Sequence, residues 1–316
     1  MSLGALAYEA IRLAFIPWQR ERRLAREQAR IRLARFSSRV LATGSAHSLA
    51  LRREGGSACW GSNREGQAPP AGADGDFVAI AAGLYHSLAL RSDGSIACSG
   101  HNFYDQAPPT GVDGDFVAIA AGAQHSLALR GDGGIACWGR SIHGQAPLAG
   151  VDGDFVAVAA GYWHSLALRR DGRIACWGGN DDGQAPPAGV DGDFVAIAAG
   201  DWHSTALRRD GRIACWGRNV HGQAPPAGVD GDFVAIAAGL YHSLALRRNG
   251  SIACWGRNDE GQAPPAGVDG DFVAISAGSF HSLALRRDGN IACWGLNGDG
   301  QAPPDGVTGP FGHVDV

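Results

Sequence analysis

The chain has 316 residues, with 27 arginines, no lysine and 31 acidic residues. The lack of lysine excludes Schiff-base catalysis and every lysine modification. Residues 1–40 carry nine arginines and three glutamates (net +6), and the remainder carries 18 arginines and 28 acidic residues (net −10). A body of that charge disfavours nucleic-acid binding, sequence-specific or not, and no apolar run reaches the roughly 18 residues of a membrane-spanning helix.

Residues 1–38 are predicted to form a helical, arginine-rich arm that precedes the rest of the chain. Its first segment, 3–16, is apolar around most of its circumference, and Pro17 ends or kinks that helix. The charge follows the apolar stretch, whereas a secretory signal peptide places its charge first. The residues expected to anchor the arm are Leu6, Ile11, Phe15, Trp18, Arg22 and Arg23.

Four interpretations of the arm stay open at this stage. It is an organelle-targeting segment, an anchor at a membrane surface, a helix that docks on a partner subunit, or a helix packed on its own domain. Its arginines favour targeting, but its three glutamates count against it. Trp18 beside several arginines suits the membrane interface.

The rest of the chain, 39–316, is built from seven copies of one 39-residue unit. The motif Gly-x-x-His recurs at a constant interval of 39, and single cysteines and the glutamine of Gln-Ala-Pro follow the same step. Such a period indicates a repeat architecture, in which units bury their apolar faces against one another. The histidines are His47, His86, His125, His164, His203, His242 and His281.

Each unit predicts a small antiparallel sheet of four short strands. In residues 153–190 the first run, Asp-Phe-Val-Ala-Val-Ala-Ala, suits a strand buried on both faces. Two more runs flank an Asp-Gly turn signal, and Gly-Gln-Ala-Pro-Pro suits a brief outer strand. Stacked radially, seven such sheets give an all-β, seven-bladed β-propeller, which we favour over a linear solenoid. Residues 39–43 and 311–315 both fit the first-strand position, and one of them is expected to complete the ring.

Residues that recur in every unit are expected to serve the fold. Seven single cysteines lie too far apart around a ring for disulfides and lack the ligand sets of metal sites, so each is interpreted as a small buried apolar residue. The histidines and the tryptophan after each cysteine are interpreted as packing residues between blades. Ser99 replaces that tryptophan in the second unit, which predicts a packing defect there. No phosphate-binding, dinucleotide or kinase signature is present, so we expect no cofactor, metal or enzymatic activity.

Two loops vary while the surrounding unit hardly changes. The two positions before each histidine and the two variable positions of the following Gly-x-Asn-x-x-Gly loop are expected to lie at the same end of the ring. Exposed aromatic residues are common anchors of protein interfaces; capping of the blade core is the alternative. The predicted partner-binding residues are Tyr85, Phe103, Tyr104, Tyr162, Trp163, Trp202, Tyr241 and Phe280.

The unit Val-Ala-Ile-Ala-Ala-Gly-x-x-His-Ser-Leu-Ala-Leu…Cys-Trp-Gly resembles the repeat of the regulator of chromosome condensation family of seven-bladed propellers. In its length and amino-acid sequence the unit is most similar to the repeats of β-lactamase inhibitory protein II. The resemblance covers about 275 residues and implies a fold shared by proteins of several functions, which present a loop face to a protein partner.

The sequence therefore predicts a non-catalytic protein-interaction propeller, with a protein partner on the loop face. Two alternatives are an accessory subunit of a membrane or organellar assembly held by the arm, and a guanine-nucleotide exchange factor or chromatin-binding protein of the same family. The uniform 39-residue step leaves no room for the inserted wedge that the resemblance associates with nucleotide exchange. Seven unpaired thiols favour an intracellular, reducing compartment, and an organelle is compatible with the arm.

Overall fold

A computed structural model describes residues 28, 30–32, 34, 37, 39–69 and 72–312. Within these residues, 21 strands form seven three-stranded antiparallel sheets, the blades of a closed ring. The strands are, blade by blade, β1 (Leu41–Thr43), β2 (His47–Leu51), β3 (Ser57–Gly61); β4 (Phe77–Ala82), β5 (His86–Arg91), β6 (Ile96–Gly100); β7 (Phe116–Ala121), β8 (His125–Arg130), β9 (Ile135–Gly139); β10 (Phe155–Ala160), β11 (His164–Arg169), β12 (Ile174–Gly178); β13 (Phe194–Ala199), β14 (His203–Arg208), β15 (Ile213–Gly217); β16 (Phe233–Ala238), β17 (His242–Arg247), β18 (Ile252–Gly256); β19 (Phe272–Ala277), β20 (His281–Arg286), β21 (Ile291–Gly295). The all-β, seven-bladed prediction is confirmed.

The strands of each blade run from the axis outwards in chain order, as blade 4 illustrates. Inner strand β10 pairs with β11, and β11 pairs with β12, both antiparallel. The middle strand β11 is buried along almost its whole length, whereas the centre of β10 is only partly buried. The expectation of an inner strand buried on both faces therefore fails for β10, whereas β4, β16 and β19 are buried at four of their six residues.

The predicted fourth strand is reduced to a single bridge. In blade 4 it joins Ile174 to Val190 through two backbone hydrogen bonds of 3.0 and 2.9 Å. The same bridge recurs in every blade. It uses the residue after the glycine that follows the prolines, a valine in six blades and Ala73 in blade 1, instead of the Gly-Gln-Ala-Pro-Pro segment. Prolines lack the N–H that a strand must donate, so the preceding segment cannot extend the ladder.

The space between blades is filled by residues that recur in every unit. Between blades 4 and 5, Leu166, Leu168 and Cys176 pack against Phe194 and the partly buried Trp216. All seven cysteines are free thiols, and burial raises the pKa of Cys176 to about 12, so these thiols are protonated at neutral pH. The interpretation of cysteine and tryptophan as packing residues is confirmed.

The predicted packing defect at Ser99 is present. A cavity of about 100 Å³ lies between blades 1 and 2, and Ser99 lines it together with Cys59 and Cys98.

Both ends of the repeat region complete the ring together. Leu41–Thr43 pair with the upper part of β2, and Phe311 bridges Arg52 at its lower end. Phe311 thus takes the place that Phe77 holds opposite Arg91 in blade 2. The expectation that one segment alone fills this position was wrong, since the inner strand of blade 1 is shared between two segments.

The described residues between 28 and 40 are helical and pack on the base of the ring, the end that carries the Asp-Gly turns; we call them the basal helix. The Nε atom of buried Arg30 donates to the Phe233 carbonyl at 2.9 Å, and the guanidinium pairs with Asp232 at 2.6 Å. The hydroxyl of Ser37 accepts from the Ile275 amide at 2.9 Å. This portion of the arm packs on its own domain, one of the four open interpretations.

The proposed anchors Leu6, Ile11, Phe15, Trp18, Arg22 and Arg23 lie outside the described residues. Among the described residues, no helix is long and apolar enough to cross a membrane.

Candidate protein-binding face

The two variable loops of each blade lie together at the end opposite the basal helix, which we call the apex. In blade 4 the first loop joins β10 to β11 and the second follows β12. The Gly179 amide in the second loop donates to the Trp163 carbonyl in the first at 2.7 Å. The equivalent bond recurs in all seven blades, so the predicted placement of both loops at one end is confirmed.

The constant residues of the second loop fix its shape. The side chain of Asn180 accepts from the Ala185 amide at 2.8 Å, and that of Gln184 accepts from the Asp182 amide at 2.9 Å. Both residues satisfy backbone donors that the tight loop would otherwise leave unpaired. The loop backbone is thus held by two side chains, which leaves its other side chains free to vary.

Beneath the loops, a ring of hydrogen bonds joins each blade to the next. His164 Nε2 lies 2.9 Å from Ser204 Oγ, and that hydroxyl donates to the Gln184 carbonyl at 2.9 Å. Since the hydroxyl proton is used on the carbonyl, the histidine carries its proton on Nε2. The seven pairs, at 2.8 to 3.0 Å, are His47–Ser87, His86–Ser126, His125–Ser165, His164–Ser204, His203–Ser243, His242–Ser282 and His281–Ser48.

These histidines are framework residues, as the sequence interpretation held. Each is fully buried, and burial lowers the pKa of His164 to about 3 and that of His47 to about 4. They are therefore neutral throughout the physiological range.

The glycine three residues before each histidine makes room for its ring. A methyl group on Gly161 would overlap the His164 ring and the Gly200 carbonyl of the next blade. The same overlap with the histidine is found at all seven equivalent glycines. The Gly-x-x-His motif is thus a close approach between backbone and imidazole, and it explains why the two intervening residues alone are free to change.

On this framework the structure brings three predicted aromatic residues together. The rings of Tyr162 and Trp202 stack at 5.4 Å, and Trp163 meets each edge-on at 5.1 Å. Trp163 Nε1 is buried with no hydrogen-bond partner within the described part of the chain. The cluster spans blades 4 and 5 and is partly buried.

Other predicted aromatic residues pair with arginines that sequence reasoning did not single out. Arg140 lies over the ring of Tyr104 at 4.9 Å. Arg218 lies 5.8 Å from the ring centre of Tyr241, and Arg257 lies 5.5 Å from that of Phe280. These cation–π contacts join neighbouring blades. Each arginine follows the Trp-Gly of its unit, where other units carry Ser, His, Gly or Leu, a departure visible in the sequence.

The remaining predicted residues are the most open to solvent. Phe103 is 79% exposed and Tyr85 is 42% exposed. The second loops add Ile142 (63% exposed) and Val220 (66% exposed), which the sequence analysis placed in a variable loop but not in the predicted site. We call the eight predicted residues with Ile142 and Val220 the aromatic face. Some of its aromatic residues, such as Trp163, are partly buried, and others, such as Phe103, project into solvent.

A small pocket of about 140 Å³ lies on the ring axis at the apex. It is lined by glycines and small residues of all seven first loops, and the carboxyl group of Asp201 is its ionisable group among the described residues. Burial raises the pKa of Asp201 to about 7. The described residues contain no cluster of three or more His, Cys, Asp or Glu side chains able to hold a metal ion.

Comparison with protein families gives a match that repeats with the blades. The model of the regulator of chromosome condensation (RCC1) repeat matches residues 40–67, 77–106, 116–145, 155–184, 194–223, 233–262 and 272–301, more than half of the chain. The chain belongs to the RCC1 repeat family. The resemblance drawn from the unit's spelling is thereby confirmed at the level of the family. A comparison of the sequence with curated proteins gives no match.

Solved structures of the same fold are similar across most of the chain. The ectodomain of the Arabidopsis thaliana receptor kinase ACR4 has 22% identity and a TM-score of 0.67, covering 85% of this chain and 98% of that one. Prp20p from Saccharomyces cerevisiae has 20% identity and a TM-score of 0.65, covering 84% of each chain. Human WBSCR16 has 20% identity and a TM-score of 0.66, covering 78% of this chain and 87% of that one. At these identities the similarity concerns the fold.

Proposed function

We propose that this propeller is a non-catalytic protein-binding module whose aromatic face is its recognition surface. The observation that supports it most is the contrast between the constant framework and the loops above it. The framework repeats in seven blades, whereas the positions it leaves free carry tyrosine, tryptophan, phenylalanine and arginine. These are residue types enriched at the energetic centres of protein interfaces.

The character of the face supports a protein ligand over a small one. Phe103, Ile142 and Val220 expose apolar surface around the rim, and the Tyr162–Trp163–Trp202 cluster supplies rigid rings nearer the axis. Such an arrangement of scattered anchors suits a broad partner surface, while the axial pocket of about 140 Å³ is too small for more than a side chain. Structures of RCC1-type propellers describe protein ligands: Prp20p is described with Gsp1p and histones, and yeast RCC1 with Kap60.

The test is a triple variant, Trp163→Ala, Trp202→Ala and Tyr241→Ala. Proteins that co-purify with the wild-type chain are quantified by mass spectrometry, and the binding of the strongest candidate is then measured with purified components. We expect loss of at least about 2 kcal/mol of binding energy per central anchor and a melting temperature within a few degrees of wild type.

Leu148→Ala serves as the matched control, because Leu148 is 85% exposed and lies outside the aromatic face. It should bind as wild type does. Unfolding of the triple variant would show that the rings cap the core, and unchanged binding would place recognition elsewhere on the propeller. Either outcome contradicts the proposal.

A further inference from the structure

Three departures from the repeat fall at the interface of blades 1 and 2. Ser99 stands where the other six units have tryptophan, Ser57 where they have isoleucine, and Ala73 where they have valine. Each change replaces a large side chain with a small one. The three positions are far apart within the unit, so the sequence alone does not connect them.

In the structure all three residues line the same cavity. It has a volume of about 100 Å³, and its walls include Leu49 and Phe77. Independent drift would scatter small residues over several interfaces, and a tolerated hole is commonly reduced by larger neighbours. Here the neighbours of the missing ring are themselves smaller, which enlarges the cavity.

The next interface shows what normally occupies this space. Between blades 2 and 3, Trp138 packs against a core that includes Leu88, Cys98, Phe116 and Val112. The residues one repeat earlier are Leu49, Cys59, Phe77 and Ala73, and all four line the cavity. The cavity is therefore the indole position of blade 2, with its walls in place and its ring missing.

The hydrogen-bond acceptor for an indole is also in place. Trp138 Nε1 donates to the Gln106 carbonyl at 3.0 Å, and the same carbonyl accepts from Ser126 at 2.9 Å. At the cavity, the Gln67 carbonyl accepts from Ser87 at 2.8 Å. A tryptophan supplies a second donor to this carbonyl at the other interfaces, and within the described residues the Gln67 carbonyl has no such donor. By equivalence with Gln106, it is the acceptor that a ring in the vacant position would use.

Two of the three serine hydroxyl groups on the cavity wall, those of Ser57 and Ser87, have hydrogen-bond partners. Ser57 Oγ lies 3.7 Å from Cys59 Sγ, and Ser87 Oγ is bonded to both His47 and the Gln67 carbonyl. Apart from the Ser99 hydroxyl, the rest of the lining is largely apolar, and apolar cavities of this kind take up aromatic molecules.

We propose that this slot, between blades 1 and 2, is a binding site for a planar aromatic group that carries an N–H donor, with the chemistry of indole. The ring would lie between Phe77 and Leu49, and its N–H would donate to the Gln67 carbonyl. The inference does not depend on the aromatic face, which lies at the apex and uses other residues.

The test is binding of indole to the full chain, measured by isothermal titration calorimetry and by ligand-observed saturation-transfer NMR. We expect saturable binding with one site per chain and a melting temperature that rises with indole concentration. 1-Methylindole, which keeps the ring but lacks the donor, should bind about tenfold more weakly, equivalent to about 1.4 kcal/mol. Absence of saturable indole binding would overturn the proposal, and equal binding of 1-methylindole would overturn the role of the carbonyl.

Ser99→Trp is the decisive variant, because it restores the ring that six other units carry. It should abolish indole binding and raise the melting temperature of the free protein. Ala73→Val narrows the slot by less and should weaken binding without loss of folding, so a failure of Ser99→Trp to fold leaves the proposal testable. Unchanged indole binding in both variants would place the ligand elsewhere and refute the site.

Two further binding measurements test the location of the site and the source of its ligand. Trp138→Ser opens the same position between blades 2 and 3 and should add a weaker second site, since the larger Ile96 and Val112 remain there; if indole binding to that variant instead disappears, the assigned location is wrong. N-acetyltryptophanamide distinguishes the sources of the ring: its binding supports a tryptophan side chain of a partner, and binding of indole alone supports a free small molecule.

Discussion

The ring of His–Ser–Gln contacts and the aromatic face lie directly above one another and follow opposite rules. Seven histidine–serine pairs repeat at 2.8 to 3.0 Å around the closed ring. The loops next to them vary: the two residues before the histidine are the same only in blades 2 and 6, and the two variable residues of the second loop differ in every blade. Because the hydrogen-bonding layer fixes the backbone, the side chains above it can vary from blade to blade without a change in the fold.

The largest expected effect is a loss of stability at acidic pH. Burial lowers the histidine pKa values to about 3 to 4 in the folded state, against 6.5 in an unfolded chain. The stability they contribute is therefore complete above pH 6.5 and is lost as the pH falls towards 4. Each histidine contributes a slope of at most about 1.4 kcal/mol per pH unit, so the upper limit for all seven is about 10 kcal/mol per pH unit. Urea unfolding between pH 7 and pH 4.5 should show this steep loss.

An exposed histidine of the second loops supplies the control for that experiment. His221→Gln should leave the pH dependence unchanged, because His221 is exposed and lies outside the ring of contacts. A free energy of unfolding that stays level from pH 7 to pH 4.5 would contradict the neutral, hydrogen-bonded ring described above.

Gly161→Ala tests the close approach beneath a single loop. The added methyl group would overlap the His164 ring and a backbone carbonyl, neither of which has room to move. We expect a loss of about 2 to 4 kcal/mol in the free energy of unfolding. Gly298→Ala is the matched control: Gly298 lies in a variable loop with nothing within 4 Å of an added methyl group. It should change stability by less than about 0.5 kcal/mol; equal effects at both glycines would remove the distinction between framework and loop.

Arg30→Ala extends the comparison to the base. Its loss leaves the Phe233 carbonyl and Asp232 without the bonds made by a buried guanidinium. We expect a cost of about 2 kcal/mol by thermal or urea unfolding. Arg170→Ala removes an Arg170–Asp154 pair at 3.0 Å whose partners are both more than 60% exposed, and it should cost less than about 0.5 kcal/mol. If Arg30→Ala and Arg170→Ala lower the free energy of unfolding by the same small amount, the Arg30 contacts of the basal helix do not stabilise the ring.

Asp201→Asn has the smallest expected effect and the opposite dependence on pH. Its folded pKa, raised by burial to about 7, lies above the value of 3.8 for an unfolded chain. The proton is therefore held more tightly in the folded state, so the stability that it contributes is complete below about pH 4 and is lost as the pH rises to about 7. Asparagine should be more stable than wild type by on the order of 1 kcal/mol at pH 8, with the difference vanishing near pH 4. Asp181→Asn, at an exposed site, should show no such dependence, and a flat difference for Asp201→Asn would place its carboxylate in bulk water.

The sequence sufficed for the parts of the molecule that depend on period and residue type. A constant step of 39 predicted seven blades, and the absence of tryptophan at Ser99 predicted the cavity between blades 1 and 2. Contacts between units were harder to foresee. The arginines over Tyr104, Tyr241 and Phe280 come from neighbouring blades, and no spacing within one unit brings them together. The division of one inner strand between Leu41–Thr43 and Phe311 likewise depends on ring closure, a property that no single repeat contains.

The shared strand of blade 1 has a consequence for biogenesis. Arg53 binds the Gly312 carbonyl across 259 positions of the chain, so the first blade to be synthesised is also the last to be finished. Until residues 310–312 have left the ribosome, the nascent polypeptide carries a blade with a gap at its lower end, and exposed strand edges of this kind pair readily with other chains. Productive maturation therefore requires that blade 1 be kept from such encounters until residues 310–312 are made.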